Sequence, residues 1–174
     1  MSGANIDLRP EIVLIAHDMR SCHNVGSLLR TADALGVAKV FLTGYTPYPL
    51  APNDPRMPHI AAKIAKQIHK TALGAEESVD WEQRDDILPL LATLQAKGFT
   101  VVALEQAENS VALHAFTAPA KVALLLGREV EGIDPILLKK CDVTLEIPML
   151  GQKESLNVVQ AAAMALFQFR FASS

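Results

Sequence analysis

A chain of 174 residues is long enough to bury the core of one domain. Its composition, 50% hydrophobic and 20% charged, is that of a compact protein rather than a disordered one. No apolar run approaches the roughly 18 residues of a membrane helix, and the first ten residues lack the charged-then-apolar signature of a signal peptide. Cys22 and Cys141 supply neither a disulfide framework nor a Cys-x-x-Cys zinc pair, so no metal is expected and a reducing cytoplasm is the expected setting. The net charge of −3 argues mildly against a nucleic-acid partner unless the basic groups gather on one face.

In chain order, Glu11-Ile-Val-Leu-Ile-Ala16 reads as a buried strand. Residues from about 23 to 35 suit a helix, with Val25, Leu28, Leu29, Ala32 and Leu35 on one stripe and Gly36 as its stop. Lys39-Val-Phe-Leu-Thr43 is the next strand. The stretch 44–58 contains five prolines, which remove backbone donors, and it is expected to be a long loop. A helix from about 59 to 70 follows, and Thr71–Gln83 is ambiguous. Asp85–Lys97 reads as a helix closed by Gly98, and Phe99–Leu104 as a strand. The remaining elements are a strand at 121–126, a short helix near 134–140, a strand at 143–147 and a final helix from about 155 to 170. Strands that are nearly uniformly apolar and alternate with helices predict one α/β domain, a mostly parallel sheet covered on both faces.

Three segments carry chemistry. Gly127-Arg-Glu-Val-Glu-Gly132 follows a buried strand and so sits at the carboxyl end of the sheet, where α/β proteins bind ligands. Standing alone it would be an ordinary strand-to-helix turn; it is neither a Walker loop nor a dinucleotide fingerprint. Ile147-Pro-Met-Leu-Gly-Gln-Lys-Glu-Ser-Leu-Asn157 opens the last helix, with Ser155 as a plausible N-cap, although Val158 stands where a capping-box acid would be. That helix is apolar all round, which requires either a central position or a dimer interface. In His23-Asn-Val-Gly-Ser-Leu-Leu-Arg30, Arg30 lies nearly opposite the apolar stripe, where a solvated surface arginine is the ordinary reading.

Together these segments acquire a specific meaning. Asn24-x-Gly26-x-x-x-Arg30-Thr-Ala32, followed by Gly36-Val37 and a strand, resembles the first motif of the SpoU (TrmH-like) family of RNA ribose 2'-O-methyltransferases. Gly127-x-Glu129-x-x-Gly132 resembles the second motif, and Ile147-Pro-Met-x-Gly151 ending in Ser155-Leu-Asn157 the third. Lys70-Thr-Ala-Leu-Gly-Ala75 resembles the family's linking segment, and the likeness covers most of residues 11–169.

The resemblance implies a single SPOUT domain over 1–174, whose segment from about 120 to 170 is tucked through a loop as a trefoil knot, against the general rule of unknotted chains. It implies S-adenosylmethionine bound largely through backbone groups of Leu126, Gly127, Ile147, Met149, Ser155 and Leu156, with Gly132 shaping the loop. It also implies a homodimer, a catalytic Arg30, and supporting roles for Asn24, Glu129, Ser155 and Asn157. A guanidinium stays protonated in almost any environment, so phosphate binding and stabilisation of a developing alkoxide suit Arg30 better than a base role. For RNA contacts, Lys63, Lys66 and Lys70 share a helical face opposite Ile60, Ile64 and Ile68; with Arg9, Arg20, Arg30 and Arg56 they could form a local basic track. The chain has no room for a separate RNA-binding domain, and a compact enzyme favours tRNA while leaving ribosomal RNA open. The competing readings are a non-catalytic RNA-binding paralogue and a nucleotide-dependent oxidoreductase.

Overall fold

The computed structural model of the chain describes residues 9–172; the N-terminal stretch read above for a signal peptide lies mostly outside them. Seven strands form one sheet: β1 (Glu11–His17), β2 (Lys39–Thr43), β3 (Trp81–Arg84), β4 (Thr100–Leu104), β5 (Val111–Ala112), β6 (Lys121–Leu126) and β7 (Val143–Glu146). Their order is β3-β2-β1-β6-β4-β7-β5, and every neighbouring pair is parallel. The helices are α1 (Cys22–Ala34), α2 (Pro58–Ala72), α3 (Ala75–Ser78), α4 (Ile87–Ala96), α5 (Pro135–Leu138) and α6 (Val158–Phe171).

The uniformly apolar strands are explained by burial on both faces. Along β1, Ile12, Leu14 and Ala16 join a core with α1, α2 and α6, while Val13 and Ile15 join a second core with α4 and α5. Strand β6 divides in the same way, with Val122, Leu124 and Leu126 on one side and Ala123 and Leu125 on the other. This is the two-residue alternation of strand side chains acting in the centre of a three-layer sandwich.

The ambiguous 71–83 stretch resolves into two short elements. Leu73 and Gly74 both adopt left-handed backbone, with φ of 53° and 98°, which ends α2 and starts α3. Edge strand β3 then pairs with β2 alone. Pro58, the last of the five prolines, occupies the first turn of α2, where its missing N–H costs no hydrogen bond. The last helix begins later than its sequence suggests. Asn157 is its N-cap, its side chain accepting from Val159 N at 2.9 Å, so Ser155 and Leu156 remain in the preceding loop. Within one chain α6 does not have the all-round burial of a central helix. Ala162, Ala165, Leu166 and Phe169 are buried, whereas Met164, Phe167 and Phe171 are exposed.

Helix α1 lies directly against α2, and Gly26 makes that approach possible. A Cβ at this position would fall 2.2 Å from both Ile68 O and Thr71 Oγ1. Gly26→Ala is therefore expected to lower unfolding free energy by about 1–3 kcal/mol, the usual cost of overpacking, as measured by urea denaturation.

Candidate cofactor cleft and the junction beside it

The carboxyl ends of β4, β6 and β7 point to the same edge of the sheet, and the loops that leave them enclose a cleft. Its walls are Leu104–Gln106 after β4, Leu126–Val130 with Gly132 after β6, Leu145–Ile147 with Met149 after β7, and Glu154–Leu156, Val158 and Ala161 at the start of α6. Leu126, Gly127, Gly132, Ile147, Met149, Ser155 and Leu156 all line it, as does Glu129.

The β6 loop doubles back on itself. Arg128 and Gly132 exchange backbone hydrogen bonds of 3.2 and 3.1 Å, leaving Val130 exposed at the tip. Two glycines are obligatory here. A Cβ on Gly127 would lie 2.7 Å from Gly132 C and O, and one on Gly132, at φ 69°, would lie 2.2 Å from Glu105 Oε2. Glu105 thus seats the loop, and its carboxylate accepts from Ile133 N at 2.9 Å and Gln106 N at 3.0 Å. Gln106 reaches the opposite wall, donating through Nε2 to Glu154 O at 2.8 Å. The sequence reading missed this β4 contribution, although the rule that ligands gather at carboxyl strand ends would have pointed to it.

Glu129 links the cleft to α1. Its carboxylate accepts from Arg20 N at 3.1 Å, Ser21 N at 3.0 Å and Asn24 Nδ2 at 3.3 Å. Asn157 Nδ2 donates to Asn24 Oδ1 at 3.3 Å. Asn24, Glu129 and Asn157, one residue from each motif, therefore form a continuous chain of hydrogen bonds. Burial pulls the Glu129 carboxyl upward, but the donations from Ser21, Arg20 and Asn24 outweigh it and hold the group below its ordinary value.

Arg30 is not brought to this junction. It is exposed on α1, outside the cleft lining, and makes no hydrogen bond or ion pair among the described residues. The six residues separating it from Asn24 carry it roughly 9 Å along the helix.

Among the basic candidates, Arg9, Arg20, Lys63, Lys66 and Lys70 are exposed, and Arg20 pairs with Glu131 at 2.8 Å. Arg56 sits in a dense set of contacts within its own loop. Its guanidinium donates to both Asp54 oxygens, to Tyr48 O at 2.9 Å and to Pro49 O at 2.8 Å, and lies 3.6 Å over the Tyr48 ring. It holds the proline-rich loop together, and four of its five N–H donors are engaged there. The helical face opposite the lysines is also less closed than expected, because Ile60 is exposed and Ile64 only half-buried. Cysteine chemistry has no place in the site: burial pushes the Cys141 thiol up to about 12 and raises that of Cys22 as well.

The cleft suits a ligand that is apolar and cationic at once. Leucine, isoleucine, methionine and valine side chains alternate with the carboxylate-bearing residues Glu105, Glu129, Glu146 and Glu154, and backbone edges are laid open by Gly127 and Gly132. Fold and cleft together define a parallel α/β protein with a glycine-shaped ligand site at the carboxyl edge of its sheet. Comparison with known proteins makes the class specific. Residues 11–167 match the model of the SpoU rRNA methylase family, and the chain belongs to that family.

It is 32% identical over 158 residues to the 23S rRNA (guanosine-2'-O-)-methyltransferase RlmB of Acinetobacter baylyi, covering 90% of this chain and 58% of that one. The chain thus spans less than two thirds of such curated relatives. An AdoMet-bound rRNA methyltransferase from Sinorhizobium meliloti superimposes with a TM-score of 0.76 at 24% identity, over 94% of this chain and 58% of that one. A structure solved to explain 2-OH methylation of C/U34 on tRNA gives a TM-score of 0.74 at 25% identity, over 92% and 94% of the two chains.

The sign of the Glu129 shift makes a pH prediction. A carboxylate depressed in the folded state stabilises above its ordinary pKa and loses that contribution as pH falls through the depressed value. Between about pH 5 and pH 3, Glu129→Gln is expected to lose less unfolding free energy than the wild type does, as followed by urea denaturation. In hydrogen exchange, Arg56→Ala is expected to raise amide exchange across 44–57 by about tenfold or more while leaving β1 and β6 protected.

Proposed function

We propose that this chain transfers the methyl group of S-adenosylmethionine to a ribose 2'-hydroxyl of RNA. The observation that carries the reading is the Asn24–Glu129–Asn157 junction: three separated segments, each matching a motif, converge beside a cleft suited to an apolar cation. The names of relatives such as RlmB, and the AdoMet-bound neighbour, support the same activity and cofactor.

Leu126, Gly127, Ile147, Met149, Ser155 and Leu156 would hold the cofactor, with Gly132 and Glu105 fixing the loop over it. When bound, it supplies an electrophilic methyl on a sulfonium that leaves with the C–S electron pair. The ribose oxygen must shed its proton, to bulk water, as it takes that methyl. Arg30 meets the neighbouring phosphate and stabilises negative charge developing on the oxygen. Asn24, Glu129, Ser155 and Asn157 order the ground on which the ribose rests, and Glu129 does so by fixing the turn before α1.

A homodimer belongs to this reading. Met164, Phe167 and Phe171 form an exposed stripe on α6, and the Phe167 and Phe171 rings lie 4.9 Å apart. Burial of such a stripe against a second copy would satisfy the apolar helix. The α6 end is bolted to the α1 end, where Arg170 donates to Leu35 O at 2.9 Å, so Arg30 stands on a helix bordering that stripe. We place Arg30 in the cleft of the second copy, since its own chain leaves it outside. A trefoil knot over about 120–170 fits the return of the chain from β7, across the carboxyl edge, to α6 beside α1. Two free cysteines fit a reducing cytoplasm. Among the described residues, no helix is long and apolar enough to cross a membrane.

Incubation with labelled cofactor and fractionated tRNA and rRNA, followed by nucleoside mapping, should yield a 2'-O-methylated nucleotide; absence of label in every fraction with cofactor bound would favour a non-catalytic RNA binder. Arg30→Ala is expected to cut kcat by about 10²–10³-fold with cofactor affinity unchanged, and Arg30→Lys to recover little of it. Mixing Arg30→Ala with a cleft-dead Gly127→Val chain should restore about a quarter of wild-type activity through mixed dimers. No restoration would place Arg30 in the cleft of its own chain.

A further inference from the structure

Two tyrosines leave the proline-rich loop in opposite directions. Tyr48 turns inward, its ring 6.3 Å from that of Trp81 and beneath the Arg56 guanidinium. Tyr45 keeps 53% of its surface exposed, although its backbone is firmly held. Its N–H donates to Asp18 Oδ1 at 3.2 Å. Gly44 before it has φ 64°, and a Cβ there would lie 1.9 Å from the same oxygen. Thr46 after it is buried, its hydroxyl accepting from Met19 N at 3.1 Å and lying 3.0 Å from Ala16 O as donor. The main chain at Tyr45 is thus fixed, and about half of the residue's surface is left open.

The neighbours of that ring are those of the candidate site. The Arg20 guanidinium lies beside the Tyr45 phenol and donates to Glu131 Oε1 at 2.8 Å. Arg20's own backbone N–H is bound to Glu129, the carboxylate that also holds Asn24. Ring, guanidinium and the Asn24–Glu129–Asn157 junction therefore occupy one continuous stretch of surface.

We infer that Tyr45 is a stacking platform for an unpaired base of the RNA substrate, with Arg20 beside it to meet an adjoining phosphate. This rests on the RNA methyltransferase reading above and adds a residue that no motif contains. Bases in loops and ends of RNA are unstacked, and aromatic rings and guanidinium planes are their usual protein partners. A tyrosine accepts any base, because each has a π face, so the platform confers grip rather than sequence choice. A guanidinium carries five N–H donors, so the contact to Glu131 leaves others to reach phosphate.

The test is equilibrium binding of fluorescein-labelled bulk tRNA and of fragmented ribosomal RNA to the full chain. Tyr45→Ala and Tyr45→Leu are expected to weaken binding about tenfold, and Tyr45→Phe to stay within about twofold of wild type. S-adenosylmethionine affinity and the thermal midpoint should not move in any of them. The loss in Tyr45→Ala should persist between about 50 and 200 mM salt, whereas that in Arg20→Ala should shrink, because only the latter is screened. Wild-type RNA affinity in Tyr45→Ala, or an equal loss in Tyr45→Phe, overturns the platform. A wild-type chain that binds S-adenosylmethionine but neither RNA overturns the RNA reading itself, and this inference with it.

Discussion

Two backbone N–H groups from the turn before α1 and the side-chain amide of Asn24 in its first turn converge on one carboxylate, that of Glu129, which belongs to a loop more than a hundred residues further along the chain. Most other features of the site depend on this contact. The N–H groups of Arg20 and Ser21 lie at the mouth of a helix, where an acceptor is required. A carboxylate meets that need with charge-assisted hydrogen bonds, stronger than neutral ones. The result is that the loop after β6 cannot shift without moving α1, and α1 carries Asn24 and Arg30.

The cleft is built on a similar economy of space. A side chain on Gly127 would strike Gly132, and one on Gly132 would strike Glu105, which fills the ground between Gly132 and the end of β4. Backbone groups are thus brought to the surface of a pocket whose walls are apolar and whose polar groups are chiefly carboxylates. Such a wall favours a cation with a flat apolar part, and it needs no metal-ligating cluster. The same parallel sheet that gives the cleft its floor also sends three loops to one edge, which is why residues distant in sequence can share a single ligand.

What was legible in the sequence followed burial. Strands β1, β2, β4 and β6 announced themselves because both faces of a central parallel strand are apolar. Edge strand β3, Trp-Glu-Gln-Arg, did not, since one side of it meets solvent, and β5 has only two residues. The residues lining the cleft were legible only through the resemblance of glycine- and proline-bearing segments to a family's motifs. Glu105 was not, because its role depends on the distant Gly132. The contacts of Arg56 were hidden for a related reason. A guanidinium shows its charge in the sequence but not its destination, and Asp54 and two loop carbonyls had first claim on it. Ser155 looked like the helix cap, yet Asn157 satisfies the Val159 N–H and leaves the serine to the cleft.

Arg170 joins the end of the helix that carries the exposed stripe to the end of the helix that carries Arg30. All of this presupposes that Glu129 and Asn24 act as a unit. A double-mutant cycle of Asn24→Ala and Glu129→Gln, read in unfolding free energy at neutral pH, measures that directly. A coupling of about 1 kcal/mol or more is predicted for the pair. Additivity within roughly 0.3–0.5 kcal/mol would contradict the account, because the two residues would then be neighbours without being partners.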